Sequence, residues 1–306
     1  MYDVISIGSA TIDIFVKSDQ FSIQKKILNI PASSKNEINQ SLFCSGGGGT
    51  NSSVSFSRLG LKSACLSLIG DSHLNNFIFD DLKKNKVDSQ FIVQNKKDIT
   101  DFSIILVAFD GSRSILTNRG KFGLEEKHIK WNKIKDTKWF YITSLEGNID
   151  LLEKIIGFAR EFNIKICFNP GNRELSQRKK LFPLIKMIDV LLLNQEEAEV
   201  LIDISHQSPQ FWDNLHCLQV PLIAVTNGRL GAHILFDQKQ LYSPIINTHP
   251  VDETGAGDSF GSAFISALIY NKDPKDALHW GVKNSASVVS SLGAKTTLLT
   301  LNQIKK

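Results

Sequence analysis

Apolar residues fall along this chain in short runs, and the segments between the runs repeat with helical spacing. From about residue 50 onward, five runs read as strands: "ACLSLI" at 64–69, "WFYIT" at 139–143, "IKICFN" at 164–169, "VLLLN" at 190–194 and "LIAVTN" at 222–227. Helical patterns lie near 72–86, 149–163, 175–187, 195–203 and 208–217. Within 149–163, Leu152, Ile155, Ile156, Ala159 and Phe162 form a stripe that predicts one buried face. Strands alternating with helices predict an α/β fold, a mostly parallel sheet with helices on both faces. No repeat or low-complexity linker divides the 306 residues, so a single domain is expected.

Two stretches break this rhythm. Residues 12–45 begin with "IDIFV" and run through the polar "DQFSIQKK" toward a glycine run. Residues 98–120 hold two alternating runs joined at Asp110-Gly111, a hairpin signal. Strands outside the βα alternation predict a small flap on the main domain. An edge carrying Phe102, Ile104 and Leu106 would suit pairing with a second subunit; a hairpin folded back on its own domain fits the same pattern.

Composition removes several classes of function. Hydrophobic content of 42% and charged content of 22% belong to a soluble globular protein. The net charge of +4 comes from 35 basic against 31 acidic residues, and the lysines are scattered, so no nucleic-acid partner is expected. Cys44, Cys65, Cys167 and Cys217 show no C-x-x-C pairing and no His at ligand spacing, which predicts buried free thiols in a reducing cytoplasm. The opening "MYDVISIGS" has no basic leader region, so no signal peptide is expected. The apolar runs are too short to span a bilayer, so no membrane partner is expected either.

The candidate chemistry starts at "VDETGAGDSF", 251–260. Phe260, Ala263, Phe264, Ala267 and Leu268 recur with helical spacing after it. Gly255, Ala256 and Gly257 therefore lie at a helix start, where bare N–H groups and the positive dipole end bind anions. Asp258 sits inside that anion site, where it could take a proton. The dipole also stabilises any acid in a first turn by about 0.3–1 kcal/mol, with no further role needed. A second glycine-rich stretch, "CSGGGGTNSSVSFSRLG" at 44–60, lets backbone approach something closely. A dinucleotide loop, with Asp71 as ribose acid, fails on its third glycine: that position holds Asn51 or Ser52.

"GGGGTN" followed by "RLG", and "DETGAGDSF", resemble the two signatures of the ribokinase family, the phosphofructokinase-B-type carbohydrate kinases. "NQEEAE" at 194–199 is similar to the family's N-x-x-E segment, "TNGRLGA" at 226–232 to its nucleotide loop, and "GSATID" at 8–13 to its substrate-side aspartate. The five segments stand in the family's order over nearly the whole chain. The resemblance implies a doubly wound α/β domain with a small β-rich lid over the substrate cleft, the lid drawn from about 12–45 and 98–120. It implies ATP and Mg²⁺ as cofactors and a small sugar as the acceptor, phosphorylated on a hydroxymethyl group.

Phosphoryl transfer takes a proton from the acceptor hydroxyl while charge builds on the moving group. On the resemblance, Asp258 is the base and the amides of Gly255, Ala256 and Gly257 hold that charge. The positive helix end is expected to keep the Asp258 pKa low. Glu197 with Asn194 is implied in the Mg²⁺ shell; the same spacing also makes a capping box. Thr226 and Gly228 are implied at the nucleotide, and Asn284, in the small-residue "KNSASVVSSLGA" at 283–294, beside adenine or in close helix packing. Asp13, Gly47, Asn51 and, less directly, Glu146 are implied at the substrate hydroxyls.

Departures from the family pattern matter as well. Gly48 stands where relatives often carry Lys, and Thr11 where ribokinases have Asn; both weaken an assignment to ribose. Glu253 stands where Thr is usual, which puts K⁺ activation in doubt because this loop helps build the cation site. No basic cluster at the cleft is legible, so a phosphorylated acceptor has no support. A nucleoside acceptor is the alternative, with Phe15, Phe43 and Phe102 as candidates for an apolar lid face. A catalytically silent sugar- or nucleotide-binding protein is the rival outside catalysis. A homodimer through the lid is open on the resemblance.

Overall fold

The protein is described by a computed structural model covering residues 1–25, 27–109 and 112–306. The strands are β1 (Tyr2–Ile7), β2 (Thr11–Lys17), β3 (Ser22–Gln24), β4 (Ile27–Asn29), β5 (Gln40–Gly46), β6 (Ser63–Ile69), β7 (Asp88–Gln94), β8 (Phe102–Val107), β9 (Arg113–Asn118), β10 (Thr137–Ile142), β11 (Lys165–Phe168), β12 (Val190–Asn194), β13 (Leu222–Thr226), β14 (Ala232–Phe236) and β15 (Lys239–Ser243). The helices are α1 (Gly48–Arg58), α2 (Asn75–Lys84), α3 (Trp131–Ile134), α4 (Ile149–Glu161), α5 (Asn172–Leu175), α6 (Arg178–Ile185), α7 (Gln195–Ile202), α8 (Phe211–His216), α9 (Ala256–Ile269), α10 (Pro274–Val288) and α11 (Leu301–Ile304).

Nine strands form the main sheet in the order β15-β14-β13-β12-β11-β10-β1-β6-β7. From β13 to β7 all pairings are parallel, and β14 and β15 close one edge antiparallel. Period-two alternation sends successive residues to opposite faces. On β10, Phe140 and Ile142 join the core under α4, α6, α7 and α8. Their neighbours Trp139 and Tyr141 join the core under α9 and α10. Both faces are covered, as a doubly wound sheet requires.

The helical stripe on α4 is realised in part. Leu152, Ile155, Ile156 and Ala159 are buried, whereas Phe162 is 40% exposed. The helix has already ended there, with Phe162 as its C-cap, so the helical repeat no longer aims that side chain inward.

A separate mixed sheet, β5-β2-β8-β9, stands off the main sheet as a small lid. Its strands come from the two off-rhythm stretches. β8 lies inside it, pairing with β2 on one side and β9 on the other. Phe102, Ile104 and Leu106 are therefore not on an edge, a correction to the edge reading of that run. The Asp110-Gly111 turn lies outside the described residues. All four cysteines are free; Cys65 and Cys167 are buried, Cys44 is partly covered and Cys217 is exposed, so burial holds for only part of the set. Among the described residues, no helix is long and apolar enough to cross a membrane.

Ile155 is fully buried. Ile155→Ala should destabilise the domain by about 2–5 kcal/mol, read by chemical denaturation with an unchanged slope.

Candidate active site

The winding of the main sheet reverses between β1 and β10, and a crevice opens beyond their carboxyl ends, where open α/β sheets bind ligands. The glycine run places α1 against this opening. The Gly49 amide donates to the Ser9 carbonyl at 2.9 Å, and the Gly48 amide to Ser9 Oγ at 3.2 Å. A Cβ on Gly46 would lie 2.0 Å from the Asp13 carboxylate, and one on Gly48 2.7 Å from Thr143 Oγ1. The close approach permitted by these glycines is thus to the protein's own strand ends.

From the opposite side α9 points its N-terminus into the same crevice. Gly255 is its N-cap, with φ of 79° in the left-handed region. A Cβ there would also come within 2.4 Å of Ala294 Cβ, so both conformation and packing require glycine. The Ala256 amide is taken by the Glu253 carbonyl at 3.2 Å. The amides of Gly255, Gly257 and Asp258 make no hydrogen bond among the described residues. Asp258 Oδ2 accepts from Asn51 Nδ2 at 2.8 Å, joining the tips of α9 and α1. Asn51 Oδ1 is buried and unpartnered, an acceptor left for a hydroxyl.

Asp13, Gly47, Asn51, Glu146, Gly255 and Asp258 all line one cavity of about 230 Å³. Six residues spread over most of the chain are brought together here. Burial pushes the Asp258 carboxyl above its ordinary value, although the Asn51 hydrogen bond and the charge of Lys295 pull it down. The expected low pKa is therefore corrected: loss of water at the crevice floor outweighs the pull of Asn51 and Lys295. Asp13 is raised for the same first reason, against Lys295 and hydrogen bonds from Thr11 and Ser103.

The nucleotide-side residues lie along the same rim. Asn194 and Thr226 are register partners at the ends of β12 and β13. Gly228 opens the turn after β13 with φ of 47° and open space where a Cβ would be. The Asn194–Glu197 capping box is formed: the Glu197 amide donates to Asn194 Oδ1 and Glu197 Oε2 accepts from the Asn194 amide, both at 2.8 Å. Burial pushes Glu197 up to about 7, reinforced by Glu196 and opposed by the Asn194 amide. Glu197 Oε1 makes no hydrogen bond among the described residues and is free for a hydrated cation. No cluster of three His, Cys, Asp or Glu side chains exists among the described residues. Such a donor set fits Mg²⁺, which keeps its waters and leans on substrate phosphates, and not an all-protein metal cage.

Asn284 is elsewhere. It is fully buried, donating to the Ser259 carbonyl at 2.9 Å and Ser55 Oγ at 3.2 Å and accepting from the Leu299 amide at 2.9 Å. Its polar atoms are spent on pinning α10 to α9 and α1, so the adenine contact is corrected to helix packing. Of the three lid aromatics, only Phe102 lines the crevice. Phe15 is fully buried, and Phe43 stacks on Phe77 at 6.0 Å outside it.

The pfkB family carbohydrate kinase model matches residues 1–301. The chain belongs to the pfkB family of carbohydrate kinases. A ribokinase of Staphylococcus aureus is 23% identical over 99% of this chain and 98% of its own. A fructokinase of Vibrio alginolyticus is 25% identical over 86% and 91%. Among solved structures, an Arabidopsis thaliana ribokinase complexed with ribose and ATP superposes with a TM-score of 0.82 at 17% identity, covering 99% and 97% of the two chains. A Methanocaldococcus jannaschii nucleoside kinase gives 0.79 at 22% identity, with the same coverage. As a member of this family the protein is an ATP-dependent phosphotransferase.

Several residues of this pfkB kinase's cleft were given no individual role by the sequence. Arg119, just beyond β9, pairs with Glu146, which Arg173 of α5 also holds at 3.2 Å. Glu146 itself has φ of 59°. The buried Glu174 keeps its loop in place, accepting from the amides of Leu145, Gly147 and Gly171 and from Ser144 Oγ. Arg119 and Glu146 also line a second cavity of about 380 Å³, together with Lys121 and Arg173. Basic residues do converge at the cleft, which the sequence did not make legible, although Glu146, Asp98 and Asp101 balance their charge. Lys295 is the other unforeseen cation, mostly buried and bonded to Asp81 at 2.9 Å and Thr50 Oγ1 at 3.1 Å.

Two outcomes follow for Asn284 and Glu197. Asn284→Ala should lower stability by about 1–3 kcal/mol while leaving the KM for ATP within about twofold, because only packing partners are orphaned. A group raised from the ordinary 4.5 to about 7 stabilises the fold below 4.5 and loses that contribution as pH rises through 7. In Mg²⁺-free buffer, the Tm of the wild type relative to Glu197→Gln should therefore decline across that window and level off above it.

Proposed function

We propose that this kinase transfers the γ-phosphoryl group of ATP to a hydroxymethyl group of a small sugar, as a ribokinase or fructokinase does. The observation that carries the reading is the placement of Asp258 beside the open amides of the α9 tip, in one cavity with Asp13 and Asn51. Asp13 and Asn51 Oδ1 offer acceptors that hold vicinal hydroxyls of a polyol. They aim its hydroxymethyl oxygen at the γ-phosphorus, ahead of α9.

The acceptor oxygen forms its bond to phosphorus as the bond to the β,γ-bridging oxygen breaks. The acceptor proton passes to Asp258, and ADP leaves with the bridging oxygen. A carboxylate whose pKa is raised by burial is a stronger base than one in water. The amides of Gly255, Gly257 and Asp258 receive the charge gathering on the transferred oxygens, and they need no reorganisation to do so. Glu197, with Asn194 beside it, would hold Mg²⁺, and the bound cation would supply positive charge against the negative charge of the phosphates. Thr226 and Gly228 face the rest of the nucleotide.

The second cavity favours one further reading within the family. It continues the sugar cavity through Arg119 and Glu146, so the acceptor could extend past a single pentose, toward a nucleoside base or a charged group. A silent binding protein accounts for neither the paired Asn51 and Asp258 nor the open amides.

ATP-to-ADP turnover with Mg²⁺ tests the proposal against ribose, fructose, fructose 6-phosphate, 2-keto-3-deoxygluconate and adenosine. One acceptor should turn over, and Asp258→Asn should lower its kcat by about 10²–10⁴-fold with ATP still bound. Undiminished turnover in Asp258→Asn would refute the assignment of the base.

A further inference from the structure

Asp252 lies three residues before Gly255, and its carboxylate is 2% exposed. A charge so deeply buried needs a counter-charge and a full set of hydrogen bonds. Oδ1 accepts from the Thr254 amide at 3.0 Å, Thr254 Oγ1 at 2.7 Å and Arg113 Nη1 at 3.2 Å. Oδ2 accepts from the Gly293 amide at 3.0 Å. Oδ1 holds three donors and Oδ2 one, so both carboxylate oxygens are engaged by the protein. Asp252 thus ties together three elements around the α9 tip: the turn before Gly255, the loop after α10 that carries Ala294 against Gly255, and the first residue of lid strand β9.

The counter-charge comes from the lid. Arg229, the other cation in the adjoining cavity, faces Glu253 at 3.9 Å, and Lys295 is bonded to Asp81. No second cation pairs with Asp252 among the described residues. With both oxygens engaged and its charge met by a guanidinium, this carboxylate does not fit a monovalent-cation site.

We propose that Arg113 is a built-in cation, which neutralises Asp252 from the lid and so sets the anion-binding tip of α9. Arg113 is then a positioning residue: it touches no reacting atom, and it links the seating of the lid to the geometry of the amides. It also removes the need for K⁺. The effect on turnover rests on the phosphotransfer reading above, whereas the replacement of a cation does not.

Wild type and Arg113→Met are melted, and assayed on the acceptor that turns over, in choline chloride and in KCl at equal ionic strength. Wild-type Tm and kcat should be the same in both salts. Arg113→Met should have a lowered Tm and kcat in choline, with both recovering in KCl and kcat by at least about threefold; Arg113→Lys should resemble the wild type. A wild-type Tm or kcat that climbs in KCl would overturn the proposal, as would an Arg113→Met protein indifferent to the exchange. If Arg113→Met does not fold in either salt, Arg113→Met/Asp252→Asn decides, since it is uncharged on both sides. Its folding without K⁺ dependence supports the charge replacement, and its failure to fold overturns it. K⁺-dependent melting of Arg113→Met, with no acceptor phosphorylated by the wild type, would uphold the built-in cation and remove the phosphotransfer reading instead.

Discussion

The site depends on how closely two helix N-termini can approach. Asn51 on α1 and Asp258 on α9 meet at 2.8 Å although 207 residues separate them. That contact exists because the seam behind it is made of small side chains. Ser262 Oγ donates to Ser55 Oγ at 2.7 Å, and Asn284 reaches both Ser55 and the Ser259 carbonyl from α10. Gly261 packs where any Cβ would strike the Tyr141 hydroxyl. Larger residues along this seam would splay the helices, and the base would lose its partner before the crevice lost its shape.

Charge is the second constraint, and it is handled by pairing across elements. Asp13 and Asp258 face the crevice with raised pKa values, and Lys295 stands behind both as a mostly buried cation. The lid contributes arginines at both ends of β9, Arg113 to Asp252 and Arg119 to Glu146. Each bridges from the small sheet to a loop of the main domain, on either side of the cavity that contains Asp258. Lid position and site electrostatics are therefore one problem in this molecule. Without Arg113 of the lid, Asp252 would be an uncompensated buried charge.

The local signals in the chain were reliable where one short segment carried the whole message. The strand runs at 190–194 and 222–227 became β12 and β13, because an apolar run covered by helices on both faces can satisfy its backbone only by pairing with neighbouring strands. The "GAGD" stretch starts a helix in the structure, as the residues after it demanded. The Asn194–Glu197 capping box was equally legible, since both partners lie within one turn. Where a message was shared between distant segments, the sequence was silent or misleading. Asn284 sits in a run of small residues that suits a nucleotide wall and helix packing alike, and only its three buried partners separate the two. Phe102, Ile104 and Leu106 read as an edge because nothing local announces that the distant β2 will cover the other side of β8.

What the sequence determined by itself is the α/β alternation, the helix start that exposes amides beside Asp258, and the residue types able to hold hydroxyls. These follow from periodicity and capping, which act within a few residues. Tertiary structure alone decided the direction of the Asp258 pKa, the convergence of Arg119 and Arg173 on Glu146, and the pairing of Arg113 with Asp252. Desolvation and ion pairing depend on what surrounds a group in space, and here those surroundings come from strands and loops far apart in the chain.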